Sequence, residues 1–119
     1  MRTRAPRVLA ALVLASVSAA VFAADAPKEE TGKSLAFNRS LGNCLACHAM
    51  PGVPDAEMPG TIAPPLIAMK ARFPNRADLR AQIWDATVRN PQTSMPPFGK
   101  HKILTEEQID KVTDFIHGL

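Results

Sequence analysis

The stretch Gly42-Asn43-Cys44-Leu45-Ala46-Cys47-His48 decides how the rest of this 119-residue chain is read. Two cysteines separated by two residues, with a histidine directly after the second, have the spacing of a covalent c-type haem site. Both thiols can add across the two vinyl groups of one porphyrin, because a separation of three places the sulfurs along one ring edge. His48 then falls beneath the iron, where its imidazole can serve as the proximal ligand. Other chemistries use the same residue types. A redox disulfide of the thioredoxin kind sits in a βαβ pattern, which this chain lacks. A closed zinc site needs four ligands, and Cys44 and Cys47 are the only cysteines. A short motif can also arise by chance.

Upstream, residues 1–23 read as a secretory signal peptide. Arg2, Arg4 and Arg7 form a basic start, Val8 to Val17 an apolar run, and Val21-Phe22-Ala23 a cleavage site. The apolar run is shorter than the ~20 residues of a membrane span and is interrupted by serine, so no membrane insertion is expected. An uncleaved anchor is the alternative. Export through the Sec route to the periplasm suits covalent haem, which is attached outside the cytoplasm. The three arginines account for the whole +3 charge of the chain, so residues 24–119 are formally neutral and give no argument for nucleic acid. Those residues make one small domain with a modest core. It has one Trp and no Tyr, so a buried macrocycle would supply much of its apolar mass.

Charge is distributed in blocks. Residues 61–102 carry Lys70, Arg72, Arg76, Arg80, Arg89, Lys100 and Lys102 against Asp78 and Asp85. Residues 103–119 carry Lys111 against Glu106, Glu107, Asp110 and Asp114. One reading is a solvated surface with a cation or two beside the haem propionates. The other is a basic docking face that steers an acidic partner.

The periodicity is helical, with no strand and no repeat. A first helix is expected from Thr31 or Gly32 to Leu41, stopped by Gly42-Asn43. Gly32 in its first turn gives either room for another helix or merely a flexible start. Residues 49–63 read as loop, followed by Ala63-Pro64-Pro65-Leu66 and a short helical piece through Met69 to Phe73. A helix follows from Asn75 to Arg89, with Asn75 as N-cap and Asp78 at its acidic N3 position, and Asn90-Pro91 ends it. After a second irregular segment, Thr105 and Gln108 open the last helix, whose stripe is Ile109, Val112, Phe115, Ile116 and Leu119.

The sixth iron ligand is then sought among the methionines and histidines. Met50 is two residues from His48, a link of at most roughly 7 Å that cannot pass around the ring. Met69 sits in an apolar helical run and reads as core. Met95 is best placed, far along the chain in a loop stiffened by Pro96 and Pro97. Met58, His101 and His117 are the alternatives. With His48 and Met95 both bound, the iron has no vacancy for substrate, which points to electron transfer. The second nitrogen of His48 should donate to a backbone carbonyl, from Pro64 or Pro65, with Leu66 packing on the ring.

These segments together resemble class I cytochromes c. The resemblance implies an all-α fold of three to four helices around one covalent haem c over residues 24–119. It also implies that the first and last helices cross and that the Pro64 carbonyl meets the axial histidine. Gly42 to His48, Ala63-Pro64-Pro65-Leu66, Asn90-Pro91-Gln92-Thr93-Ser94-Met95-Pro96-Pro97-Phe98-Gly99-Lys100-His101 and Ile103-Leu104-Thr105 resemble more closely the SoxX family. That family supplies the small monohaem subunit of SoxAX complexes in thiosulfate-oxidising bacteria. The resemblance implies an L-cysteine S-thiosulfotransferase in which a SoxA-like monohaem or dihaem partner holds the catalytic haem. Thiosulfate is there joined oxidatively to a cysteine of a SoxYZ-like carrier, releasing two electrons. The SoxX-type haem accepts electrons and passes them to a soluble cytochrome c. Its axial residues map onto His48 and Met95, and its haem-binding cysteines onto Cys44 and Cys47. The chain then has no catalytic residue of its own. The rival readings are a free periplasmic monohaem shuttle for another dehydrogenase or oxidase, and a non-haem dithiol or metal-binding domain.

Overall fold

The computed structural model describes residues 29–119; the signal peptide expected over residues 1–23 lies outside them. Among the described residues four α-helices appear in chain order: α1 (Gly32–Phe37), α2 (Met69–Arg72), α3 (Arg76–Trp84) and α4 (Glu106–His117). Two single turns of 3₁₀ helix, Cys44–Ala46 and Ala86–Val88, lie between them. Among the described residues there is no strand.

The last helix is organised as its sequence dictates. Thr105 accepts from the Gln108 N–H, and the Gln108 side chain returns to the Thr105 N–H, so two orphan donors are met reciprocally. Glu106 and Glu107 sit in the first turn, where a negative charge suits the helix dipole. Ile109, Val112 and Ile116 are buried along one stripe. Thr113 is buried with them, its hydroxyl satisfied by the Ile109 carbonyl at 2.7 Å.

Helix α1 crosses α4 at Gly32. A Cβ built on Gly32 would collide with the Lys111 carbonyl and come within 2.8 Å of Phe115 Cβ. Only glycine allows the two backbones this close, so the room it makes is used. Phe37 and Phe115 then meet edge to face, with ring centroids 6.2 Å apart.

Two helices end sooner than periodicity predicts. The first stops at Phe37, not Leu41, because Asn38 takes over: its side-chain oxygen accepts from Ser40 N at 2.8 Å. Its carbonyl holds Leu41 and Asn43, and Gly42 N turns back to Leu35 O. The third stops at Trp84, not Arg89, because Asp85 adopts an extended conformation and caps the following turn through Thr87 N. Asn75 caps α3 through Ala77 N, one residue earlier than the Asp78 pattern predicts.

Helix α3 buries only Leu79 and Ile83. Its register on α4 is set by ions. Arg76 bonds Asp114 and lies 3.5 Å from Asp110; Arg80 reaches Asp110 at 2.8 Å and Glu106 at 2.6 Å. Three of the seven basic residues in the 61–102 block are therefore bound to carboxylates within the fold, Lys100 to Asp85 being the third.

Gly32→Ala should destabilise the protein by about 1–3 kcal/mol, because overpacking against the α4 backbone outweighs the ~1 kcal/mol of better helix propensity. Thermal unfolding measures it. Acid should act through the α3–α4 seam. Arg80 holds Asp110 and Glu106 below the ordinary carboxylate range, and Thr87 with Lys100 does the same to Asp85. Their stabilisation is fully present above the unfolded values near pH ~4 and is lost as pH falls through the lowered folded values. Melting temperature should drop between about pH 5 and 3, and Arg80→Gln should flatten that drop.

Candidate functional site

The motif is delivered by the close of the α1 turn. Asn43 takes the left-handed conformation (φ 47°), which redirects the chain into the Cys44–Ala46 turn. Cys47 N and His48 N both return to Cys44 O, at 3.2 and 2.9 Å. One helical turn thus gathers Cys44, Cys47 and His48 on one side. Both cysteines are free and half-buried. Burial, together with the neighbouring Cys47, pushes the Cys44 thiol up to about 11. Among the described residues no group of three or more His, Cys, Asp or Glu side chains is placed to hold a metal ion.

A strap of chain lies beside the motif. Gly60 N donates to Leu45 O at 2.8 Å, Ala63 N to Cys47 O at 3.1 Å, and Leu66 N to Ala49 O at 2.8 Å. Both segments advance in the same direction, as neighbouring parallel strands would. Pro64 sits at the middle of the strap, and its carbonyl accepts from His48 Nδ1 at 2.6 Å. With the proton on Nδ1, Nε2 keeps its lone pair for a metal. Leu66 drops from the strap into the core with 8% exposure. Arg72 holds the next carbonyl, donating from Nη1 to Pro65 O at 2.7 Å.

The other sulfur and nitrogen candidates separate by position. Met50 and Met69 are both buried in the core at 2% exposure. Met58 is 91% exposed. His101 is exposed, and His117 Nε2 lies 2.9 Å from the Phe73 carbonyl. Met95 is half-buried and packs against the apolar cluster that contains Leu66, Phe98 and Leu104, the cluster that Cys44 also touches. Its N–H is held by Thr93 Oγ1 at 3.1 Å. The structure therefore brings Cys44, Leu66 and Met95 to one apolar core and ties His48 to Pro64.

This donor set fits a covalent haem. Two free thiols lie one turn apart, an imidazole has its Nδ1 engaged and its Nε2 unencumbered, and a thioether sits beside apolar surface. Sequence reasoning missed three contributors. Gly60 reads as loop punctuation, yet its backbone lies flush on the Ala46 carbonyl. Arg72 reads as one charge in a block, yet it fixes the strap. Trp84 reads as sparse aromatic content, yet its carbonyl accepts from Gly99 N at 3.0 Å and Lys100 N at 3.3 Å, holding the Met95 loop. A helix-like spacing carries no signal for such contacts.

The family model described as cytochrome c oxidase, cbb3-type, subunit III matches residues 28–116. Comparison with the curated proteins returns no match. Among solved structures, the crystal structure of SoxXA from P. pantotrophus aligns with a TM-score of 0.65 and 33% sequence identity, over 72% of this chain and 77% of that chain. Among the described residues no helix is long and apolar enough to cross a membrane. The CxxCH turn, the all-helical frame and these two matches agree: the chain belongs to the c-type cytochrome family, as a SoxX-like electron-transfer cytochrome carrying covalently bound haem c.

Proposed function

We propose that this chain is the electron-accepting subunit of a SoxAX-like L-cysteine S-thiosulfotransferase, exported to the periplasm by residues 1–23 and folded over residues 24–119. The alignment with SoxXA carries the reading. Cys44 and Cys47 would tether the haem, His48 Nε2 and Met95 Sδ would take the two axial positions, and Leu66 would pack on the ring. When bound, haem supplies a one-electron couple between ferric and ferrous iron. Everything else is done by the chain. Pro64 orients the imidazole by accepting a hydrogen bond from its Nδ1–H. Thr93, Pro96 and Pro97 stiffen the segment from which a weak, neutral thioether must reach.

With His48 and Met95 as the residues that would hold the iron and both thiols as tethers, the chain would have no cysteine left to attack sulfur. Catalysis then belongs to a SoxA-like partner, with a SoxYZ-like carrier as substrate and a soluble cytochrome c as acceptor. A second reading draws on the family description, which names an oxidase subunit. In that reading the chain is a free monohaem shuttle serving another dehydrogenase or oxidase.

Replacing Met95 by Ala should leave the haem attached but abolish the weak ferric methionine charge-transfer band. It should also lower the reduction potential, since axial ligands set that potential across roughly 0.8 V. Persistence of the band disproves Met95 as ligand. The partner is tested separately: purified gently from its native periplasm, the chain should bring down a larger haem protein in stoichiometric amount. A lone monomer that still reduces a soluble cytochrome favours the shuttle.

A further inference from the structure

We infer that Trp84, with Asp85 next to it, is the positioning residue of the Met95 loop, keeping the thioether in place by clamping Gly99 and Lys100. The inference rests on Met95 being an axial ligand.

The clamp arises from how α3 ends. Asp85 leaves helical geometry (φ −150°, ψ 91°), and this frees the end of the helix for other partners. A helix leaves its last carbonyls unpaired. That of Trp84 accepts from Gly99 N at 3.0 Å and from Lys100 N at 3.3 Å. The Asp85 side chain turns inward and is only 6% exposed. One oxygen takes Thr87 N and the Thr87 hydroxyl, and the other receives Lys100 Nζ at 2.9 Å. Above this, the indole rests on the loop backbone. A Cβ at residue 99 would collide with Cδ1 and Nε1 of Trp84. The indole N–H is itself fixed, donating to Glu106 Oε1 at 2.9 Å, while Glu106 Oε2 is held by Arg80 at 2.6 Å. A flat apolar body with one polar edge suits this place, pressed on a glycine on one side and bonded to α4 on the other.

The clamp lies four residues beyond Met95, and the link between them is stiff. Pro96 and Pro97 have fixed φ, and Phe98 is 6% exposed with its carbonyl accepting from Ile103 N and Leu104 N. Upstream of Met95 the bonds are internal to the loop, Met95 N to Thr93 Oγ1 and Thr93 N to Asn90 O. The downstream end is where the loop grips the helices, at Phe98 in the core and at Trp84 and Asp85. Release at Gly99 therefore leaves Phe98 to hold the downstream end without the helix-end clamp, and Met95 gains freedom to swing. A swung-away thioether leaves an axial position to any competing ligand, in proportion to the fraction of molecules open.

The ferric holoprotein titrated with imidazole reads that fraction directly. Trp84→Phe, which keeps an aromatic ring but loses the indole N–H and the edge that rests on Gly99, and Gly99→Ala, which drives the indole off, should each tighten imidazole binding about tenfold or more. Lys100→Gln, at a half-exposed position compatible with folding, should tighten it by a smaller factor, about threefold. Trp84→Leu restores room, so adding Gly99→Ala to it should change imidazole affinity little further, a non-additive pair. Ile109→Val or Ile109→Ala, chosen to match the fall in melting temperature, should leave the affinity within about twofold of wild type. Equal affinities in Trp84→Phe and the matched Ile109 variant overturn the inference. Met95→Ala separates the two failures. If that variant keeps the charge-transfer band, the axial assignment falls and this inference with it. If it loses the band and binds imidazole tightly while the Trp84, Gly99 and Lys100 variants bind as wild type, the inference alone falls.

Discussion

One hydrogen bond governs the site: His48 Nδ1 to the Pro64 carbonyl, at 2.6 Å. A histidine in a one-turn helix can point in several directions and carry its proton on either nitrogen. Giving Nδ1 a fixed acceptor settles both, and leaves Nε2 aimed away from the strap as a base. The acceptor is in turn fixed by proline chemistry. Consecutive Pro64 and Pro65 keep the preceding residues out of the helical region, so the strap stays extended. An extended strap can exchange backbone bonds with the motif at Leu45, Cys47 and Ala49. A helix here would turn those groups inward on itself. The motif's local turn and the strap's refusal to turn are thus complementary halves of one device.

Charge in this protein serves the frame before it serves a partner. The basic block of residues 61–102 next to an acidic tail suggests a docking face when read as composition. In the fold, Arg76 and Arg80 cross to Asp110, Asp114 and Glu106, and Lys100 goes to Asp85. Arg89 lies over the Phe73 ring at 5.5 Å and Arg72 holds Pro65 O. Any single surface pair is worth about 0–1 kcal/mol. Here the carboxylates are shared, and the chain of contacts runs along the whole seam from Arg76 to Trp84. What it supplies is register, which two buried aliphatics on α3 could not specify alone. Lys70 and Lys102 remain exposed for any steering of an acidic partner.

What was legible in the sequence was what is local. The CxxCH spacing, the Thr105–Gln108 capping box and the stripe of α4 each lie within one turn or one helix face, and each appears where the pattern puts it. The helix ends were misplaced because Asn38 and Asp85 compete for backbone groups with their own side chains, a choice the hydrophobic period does not record. Gly60, Arg72 and Trp84 were invisible for a different reason. Each acts on a backbone atom 7 to 15 residues away: the Ala46 carbonyl, the Pro65 carbonyl, the Gly99 amide. Backbone looks the same at every position, so no residue pattern marks the target.

These unmarked contacts account for how so small a domain can hold a metal centre on loops. Its helices supply a frame at the α1–α4 crossing and the α3–α4 seam, but none of the candidate ligands lies on a full α-helix. His48 follows a single turn, and Met95 sits in an irregular segment. A loop residue is normally the mobile one. Here each is tied back to the frame by backbone groups, His48 through the strap and Met95 through the end of α3. An electron carrier benefits from ligands whose positions barely differ between oxidation states, since any rearrangement adds to the barrier. Supporting contacts that fix a loop's backbone, and not only its side chains, meet that demand. The same logic explains the two prolines after Met95: they remove the freedom that would otherwise separate a clamped Gly99 from a wandering thioether.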